Sequence, residues 1–203
     1  MPDDDLLLKI LGAAQDLRWI GPAPLDQAIA HARGFAAGVP SPPARFADLG
    51  TGGGVPGLVL AFEWPDAEVV LVEGSTRRAE FLVSSVEQLG LADRCTVRAE
   101  RAELTGHVPV LRGACDVVAA RGFSPPAVTA ECAAPLLRPG GLLVVSEPPS
   151  GEDRWPEDGL AAVGLTPADT WTTPFRYRSF RQDAPCPPRY PRRVGIPSKR
   201  PLF

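Results

Sequence analysis

The residues with the plainest chemical purpose are the ten from Asp48 to Gly57, Asp-Leu-Gly-Thr-Gly-Gly-Gly-Val-Pro-Gly. Five of the eight positions from Gly50 onward are glycine. Glycine removes the side chain and tolerates positive φ, so a ligand can lie directly against the backbone. A helix that starts after such a turn adds unpaired N–H groups and a positive dipole end. A turn that only reverses the chain needs one or two glycines, so this one reads as a cofactor turn. Further on, Val70-Leu71-Val72-Glu73-Gly74 ends an apolar run on a carboxylate, a group suited to accept hydrogen bonds from ribose hydroxyls.

Two cofactor classes fit this pattern. Gly52-x-Gly54-x-x-Gly57 formally satisfies the dinucleotide fingerprint, which alone is a weak signal and would make the chain a nicotinamide-dependent oxidoreductase. Pro56 inside the turn stands against that, and Asp48-x-Gly50-x-Gly52, with a carboxylate two residues before the first glycine, favours S-adenosylmethionine. Glu73 serves either. No His, Cys and Asp cluster has metal-ligand spacing, so no metal is expected. His31 and His107 are the only histidines and read as surface or core filler. No Ser-His-Asp or Cys-His set stands out, which leaves alignment and proximity, without a dedicated catalytic residue, as the expected means of catalysis.

The elements that must position these groups follow from apolar periodicity. Short apolar runs predict strands near 45–49, 68–73, 94–98, 115–120 and 141–146. Amphipathic stretches between them predict helices near 56–64, 76–90 and 126–137. That alternation predicts an α/β fold with a mostly parallel, doubly wound sheet. Beyond Pro148-Pro149 the pattern predicts a helix near 157–164 and strands near 168–173 and 176–182, the last closing the sheet as an antiparallel strand. Three segments result: a helical preface over 1–44, with helices at 5–18 and 24–38; a cofactor domain over 45–183; and a basic, proline-rich tail over 184–203. The six prolines of that tail predict an extended surface path with no helix.

Composition sets outer limits. The 203 residues are 44% hydrophobic and 22% charged, values of an ordinary globular chain. Four scattered cysteines, Cys95, Cys115, Cys132 and Cys186, read as reduced thiols. The acidic start and the lack of a long apolar stretch predict a soluble, cytoplasmic protein with no membrane contact. The net charge of −3 conceals a division: residues 1–170 hold 13 Lys and Arg against 23 Asp and Glu, a balance of −10, whereas residues 171–203 hold eight against one, a balance of +7. A basic block on an acidic body suggests contact with a polyanion.

The stretch from Asp48 to Glu103, together with the C-terminus, resembles the 16S ribosomal RNA guanine-N7 methyltransferases, the methyltransferase G family. Four features carry the resemblance: the glycine turn with its Val55-Pro56-Gly57 ending; Leu71-Val72-Glu73-Gly74-Ser75-Thr76-Arg77-Arg78-Ala79-Glu80-Phe81-Leu82; Arg101-Ala102-Glu103 followed by Ala120-Arg121-Gly122-Phe123; and the closing Arg189-Tyr190-Pro191-Arg192-Arg193-Val194-Gly195-Ile196-Pro197-Ser198-Lys199-Arg200-Pro201-Leu202-Phe203. The last is the most specific. The resemblance implies a Rossmann-like class I methyltransferase fold with S-adenosylmethionine as cofactor and the small-subunit ribosomal RNA as partner. It implies that Gly50 and Val55 line the methionine and ribose of the cofactor, that Glu73 holds the ribose, that Ala102 and Glu103 flank the adenine, and that Arg121 closes the site. With Asp48 and Gly52 these form the expected cofactor set. The expected RNA contacts are Arg121, Arg189, Arg192, Arg193, Lys199 and Arg200. A methyltransferase acting on a small molecule or another RNA, and a non-catalytic RNA-binding module with a relict cofactor turn, are the alternatives.

Overall fold

The computed structural model of the chain describes residues 2–150 and 152–203. Its sheet has seven strands. β1 (Arg45–Leu49), β2 (Glu68–Val72), β3 (Cys95–Arg98), β4 (Cys115–Ala120) and β5 (Leu137–Ser146) run parallel in the order β3-β2-β1-β4-β5. β6 (Leu165–Trp171) and β7 (Tyr177–Gln182) complete the order as β5-β7-β6, with β7 antiparallel to both neighbours. The strand order reverses between β1 and β4, so their carboxyl ends flank the crevice in which open α/β sheets bind ligands.

Both faces of the sheet are covered, which is why the strands are apolar on both sides. Phe46, Val69, Leu71, Val117, Ala119 and Val144 face one core. Into it pack α1 (Pro2–Asp16), α2 (Leu25–Ala36), α3 (Gly57–Glu63) and α4 (Thr76–Gln88), through residues such as Leu11, Phe35, Leu58 and Leu82. The alternate positions Ala47, Leu49, Val70, Val72, Val118, Leu143 and Val145 face the other core, with α5 (Ala102–Thr105), α6 (Pro126–Ala133), α7 (Glu157–Ala161) and the C-terminal segment. Among the described residues no helix is long and apolar enough to cross a membrane. The four cysteines are buried and unpaired.

The departures from the predicted elements have local causes. The helix predicted to Leu137 ends at Ala133 and gives way to a 3-10 turn over Ala134–Leu136, because Pro135 has no N–H to continue the α ladder. β5 then starts at Leu137, four residues early, with a register shift opposite Cys115 and Val117 that absorbs Arg138-Pro139-Gly140. β6 includes Pro167, tolerated because the strand is at the edge of the sheet. Two four-residue helices were not foreseen, α5 and α8 (Ile196–Lys199). α8 corrects the expectation of a tail without helix. Gly195 starts it with φ +79 and Pro197 falls in the first turn, where a missing N–H costs nothing.

The preface is bound to the far edge of the sheet through Tyr177. That side chain is fully buried, its hydroxyl donates to the His31 carbonyl at 2.8 Å, and its ring packs on Phe35 and Trp171. Trp171 Nε1 donates to the Gly34 carbonyl at 2.9 Å. Gly34 is required here, since a Cβ would overlap the Tyr177 hydroxyl. Gly34→Ala is expected to destabilise the chain by about 1–3 kcal/mol, as overpacking does. Urea unfolding measures this, and an unchanged midpoint would contradict the packing.

Candidate active site

The glycine turn owes its shape to a buried carboxylate. Asp48, on β1, is fully buried, and its Oδ2 accepts hydrogen bonds from the Thr51 hydroxyl and, at 2.8 Å, from the Gly57 N–H. The turn thus closes on itself between strand and helix. The N–H of Gly50 and that of Thr51 also donate to the Val72 carbonyl, at 2.8 and 3.2 Å. Gly50 and Gly52 have φ of +66 and +59, and a Cβ on Gly50 would stand 2.6 Å from the Phe123 ring. Burial pushes the Asp48 carboxyl up to about 6, with the bonds from Thr51 and Gly57 and the charge of Arg121 only partly opposing it.

Glu73, just after β2, is the second strut. Its Oε1 accepts from the Ser75 N–H at 2.8 Å and the Arg78 guanidinium at 2.7 Å, and its Oε2 accepts from the Gly52 N–H at 3.0 Å. Burial pushes this carboxyl up, but the three donors outweigh it and hold it below the usual carboxylate range. A carboxylate has about four acceptor positions, so one remains for a ligand.

These groups border a cavity of about 490 Å³, within the roughly 300–1,000 Å³ of small-molecule sites. Of the expected cofactor residues, Gly50, Gly52, Glu73, Ala102 and Glu103 line it. Asp48 and Val55 do not; both are buried behind the turn and shape it. Arg121 lines a different cavity, described below. Sequence reasoning missed Arg18 and Trp19 from the preface, along with Arg78 and Phe123 as wall residues. Trp19 arrives there because α1 ends in a Schellman turn: Trp19 N–H donates to the Ala14 carbonyl and Arg18 N–H to that of Gln15, with Arg18 at φ +60. Gly usually fills that position, so its local signal was absent.

The wall formed by Arg101, Ala102 and Glu103 is joined to the C-terminal segment. Glu103, buried, accepts from Arg101 at 3.2 and 3.3 Å and from the Gly195 N–H at 3.1 Å. Its carboxylate therefore clasps the tail. Glu131, fully buried on α6, takes the Arg192 N–H, Nε and Nη2 at 2.8, 2.8 and 2.6 Å. Arg112 donates to the carbonyls of Gly106, Cys186, Pro187 and Tyr190, and His107 Nε2 lies 2.7 Å from the Pro191 carbonyl. The tail is a docked strap with Tyr190, Pro191 and Pro197 buried. Arg192, counted in sequence among the RNA contacts, is committed to Glu131. Arg189, Arg193, Lys199 and Arg200 remain exposed.

A model described as rRNA small subunit methyltransferase G matches residues 35–157. The chain is 38% identical over 169 residues to the ribosomal RNA small subunit methyltransferase G of Prochlorococcus marinus (strain MIT 9313), covering 79% of this chain and 68% of that one. The chain belongs to this family. The enzyme of the same name from Rubrobacter xylanophilus is 35% identical over 170 residues, covering 78% and 65%. Among solved structures, cofactor-bound Rv0187 from MTB superposes with a TM-score of 0.62 at 20% identity, covering 88% of this chain and 90% of that one. A putative sarcosine dimethylglycine methyltransferase from Galdieria sulphuraria gives 0.58 at 18% identity, covering 84% and 77%. These last two show the Rossmann-like fold.

The expected cofactor is then S-adenosylmethionine. The residues fit it: two left-handed glycines bare their backbone to the cavity, and an ionised, prepositioned Glu73 faces the same space.

Gly52→Asp sets a second carboxylate beside Glu73 in a residue whose N–H binds it. Calorimetry with S-adenosylhomocysteine should show affinity lowered roughly 100-fold or more; unchanged affinity would refute the site. Asp48 gives a pH signature. The fold holds its neutral form better than the unfolded chain does, so its contribution is full below about pH 4 and lost as pH rises through about 6. Asp48→Asn keeps an acceptor for Thr51 and Gly57 without titrating. Its stability relative to the parent should rise between pH 4 and 6 by on the order of 3 kcal/mol, and a pH-independent difference would contradict this.

Proposed function

We propose that this chain transfers the methyl group of S-adenosylmethionine to N7 of a guanine in the small-subunit ribosomal RNA. The observation that carries the reading, beyond family membership, is that the strap bearing four exposed cations is clasped to the wall of the cofactor cavity through Glu103 and Gly195, and to α6 through Glu131 and Arg192. Phosphate attraction and the methyl donor are thereby held in fixed relation.

The bound donor supplies a methyl group already activated by sulfonium charge. What remains for the protein is mainly binding and alignment. Glu73 offers its remaining acceptor position to a ribose hydroxyl, and the bare backbone of Gly50 and Gly52 lets the ligand seat closely. Ala102 leaves space for a flat ring, while Glu103 fixes that wall by holding Arg101 and Gly195. Phe123 and Trp19 limit water access from two sides. Guanine N7 carries no proton, so no general base is needed. Arg189, Arg193, Lys199 and Arg200 attract phosphates, and Arg121 faces the acceptor side.

The test is transfer of a tritiated methyl group to small subunits, or their RNA, from a strain lacking this modification, followed by mapping of the product. Label at one guanine N7 is expected, and no label alongside measurable cofactor binding would point to another acceptor. Replacing the four exposed cations with Gln should lower the slope of log affinity against log salt by about 3 and leave cofactor affinity unchanged. An unaltered slope would remove the strap from the RNA interface.

A further inference from the structure

The carboxyl ends of β4 and β5 open onto a second cavity, of about 560 Å³, which shares no lining residue with the first. Arg121 directly follows β4 and Glu147 directly follows β5, and both line it, with His31 and Phe175 as an aromatic wall. Gly122 and Phe123, next to Arg121 in the chain, line the cofactor cavity, so consecutive residues of the loop after β4 border the two spaces.

We propose that this cavity is the seat of the acceptor base and that Glu147 and Arg121 together select guanine. The proposal rests on the methyl-transfer function given above.

Three observations support it. Arg121 is half-buried and, among the described residues, has no hydrogen-bond or ion-pair partner within the chain, an arrangement that suits a ligand acceptor. Glu147 is held rigidly: Trp155 Nε1 donates to its Oε1 at 2.8 Å, Arg154 donates to both oxygens at 3.3 and 3.1 Å, and its side chain is 4% exposed. Oε1 is taken up by these two donors, and Oε2, with one, still has an acceptor direction to spare. The His31 and Phe175 rings lie 4.4 Å apart and tilted by 34°, an aromatic pair that lines the cavity beside the charged groups.

Arg176 also lines the slot, and the pairing of the unpartnered Arg121 guanidinium with the Glu147 carboxylate matches one base edge best. Guanine presents an acceptor, O6, beside two donors, N1–H and N2–H; adenine presents a donor, N6–H, beside an acceptor, N1. With Arg121 at O6 and Glu147 Oε2 at N1–H, this edge of guanine is matched and N7 is left clear. Adenine in the same pose sets donor against donor and acceptor against acceptor. A base read on this edge has left its helix, as bases modified by enzymes do. Burial and then the Arg121 charge lower the His31 pKa to about 4, so the imidazole is neutral and adds no cation to Arg121 and Arg176.

The test uses the full chain saturated with S-adenosylhomocysteine, which fills the first cavity, and titrates it with guanosine and adenosine 5′-monophosphate by NMR. The guanine nucleotide is expected to bind at least about 10-fold tighter. Glu147→Gln, which keeps a partner for Trp155, should remove most of that preference. Arg121→Met breaks no internal bond and should do the same if Glu147→Gln fails to fold. Equal binding of the two nucleotides, or a preference that survives the variants, overturns the assignment. Guanine preference without methyl transfer to ribosomal RNA would leave this site standing and sink the ribosomal function. Transfer without guanine preference would do the reverse.

Discussion

The cofactor cavity depends on the hydrogen bonds that Asp48 makes with Thr51 and Gly57. A chain that must expose bare backbone to a ligand gives up the side chains that would otherwise fix its shape, and glycine is the costliest residue to order. One buried carboxylate solves this by accepting from both ends of the turn, and Glu73 adds a third point by holding the Gly52 N–H. The two acids work differently. Asp48 never reaches the cavity and bears a raised pKa as the consequence of full burial. Glu73 faces the cavity, stays ionised through three donors, and keeps one acceptor position for the ligand.

The same economy appears on the opposite wall, where acidic residues of the body capture the basic C-terminal segment. Arg178 and Arg192 pair with Asp153 and Glu131, so part of the charge asymmetry between body and tail is used internally. The cations left exposed are on a strap whose course is set by Arg112, His107, Glu103 and Glu131 and not by its own propensity. The exposed cations and the cavity wall are therefore mechanically joined. A flexible basic tail would provide the first without the second.

Much of this was legible in the sequence because it is local. The glycine turn, the carboxylate ending β2 and the alternation of apolar runs each depend on neighbours within a few residues, and the five parallel strands lie where periodicity puts them except for the four-residue early start of β5. What stayed hidden is long-range. Nothing near Arg192 distinguishes an arginine bound for a buried Glu131, 61 residues away, from one bound for phosphate. Nothing near Glu103 reveals that it will hold Gly195. Trp19 reaches the cavity from a helical preface because a Schellman turn tolerates Arg18 in the left-handed region, where a sequence reader looks for glycine. Prolines misled in one direction only: they excluded long elements correctly, but a first-turn proline admits the short α8.

The central structural claim is that one cavity, shaped by Asp48 and Glu73, seats the methyl donor while Arg121 faces the acceptor. A crystal structure with S-adenosylhomocysteine tests it most directly. The account predicts ribose hydroxyls on the Glu73 carboxylate, adenine against Ala102 and no contact between Arg121 and the nucleoside. A ligand seated among His31, Arg121 and Glu147, or one that leaves Glu73 untouched, would contradict it.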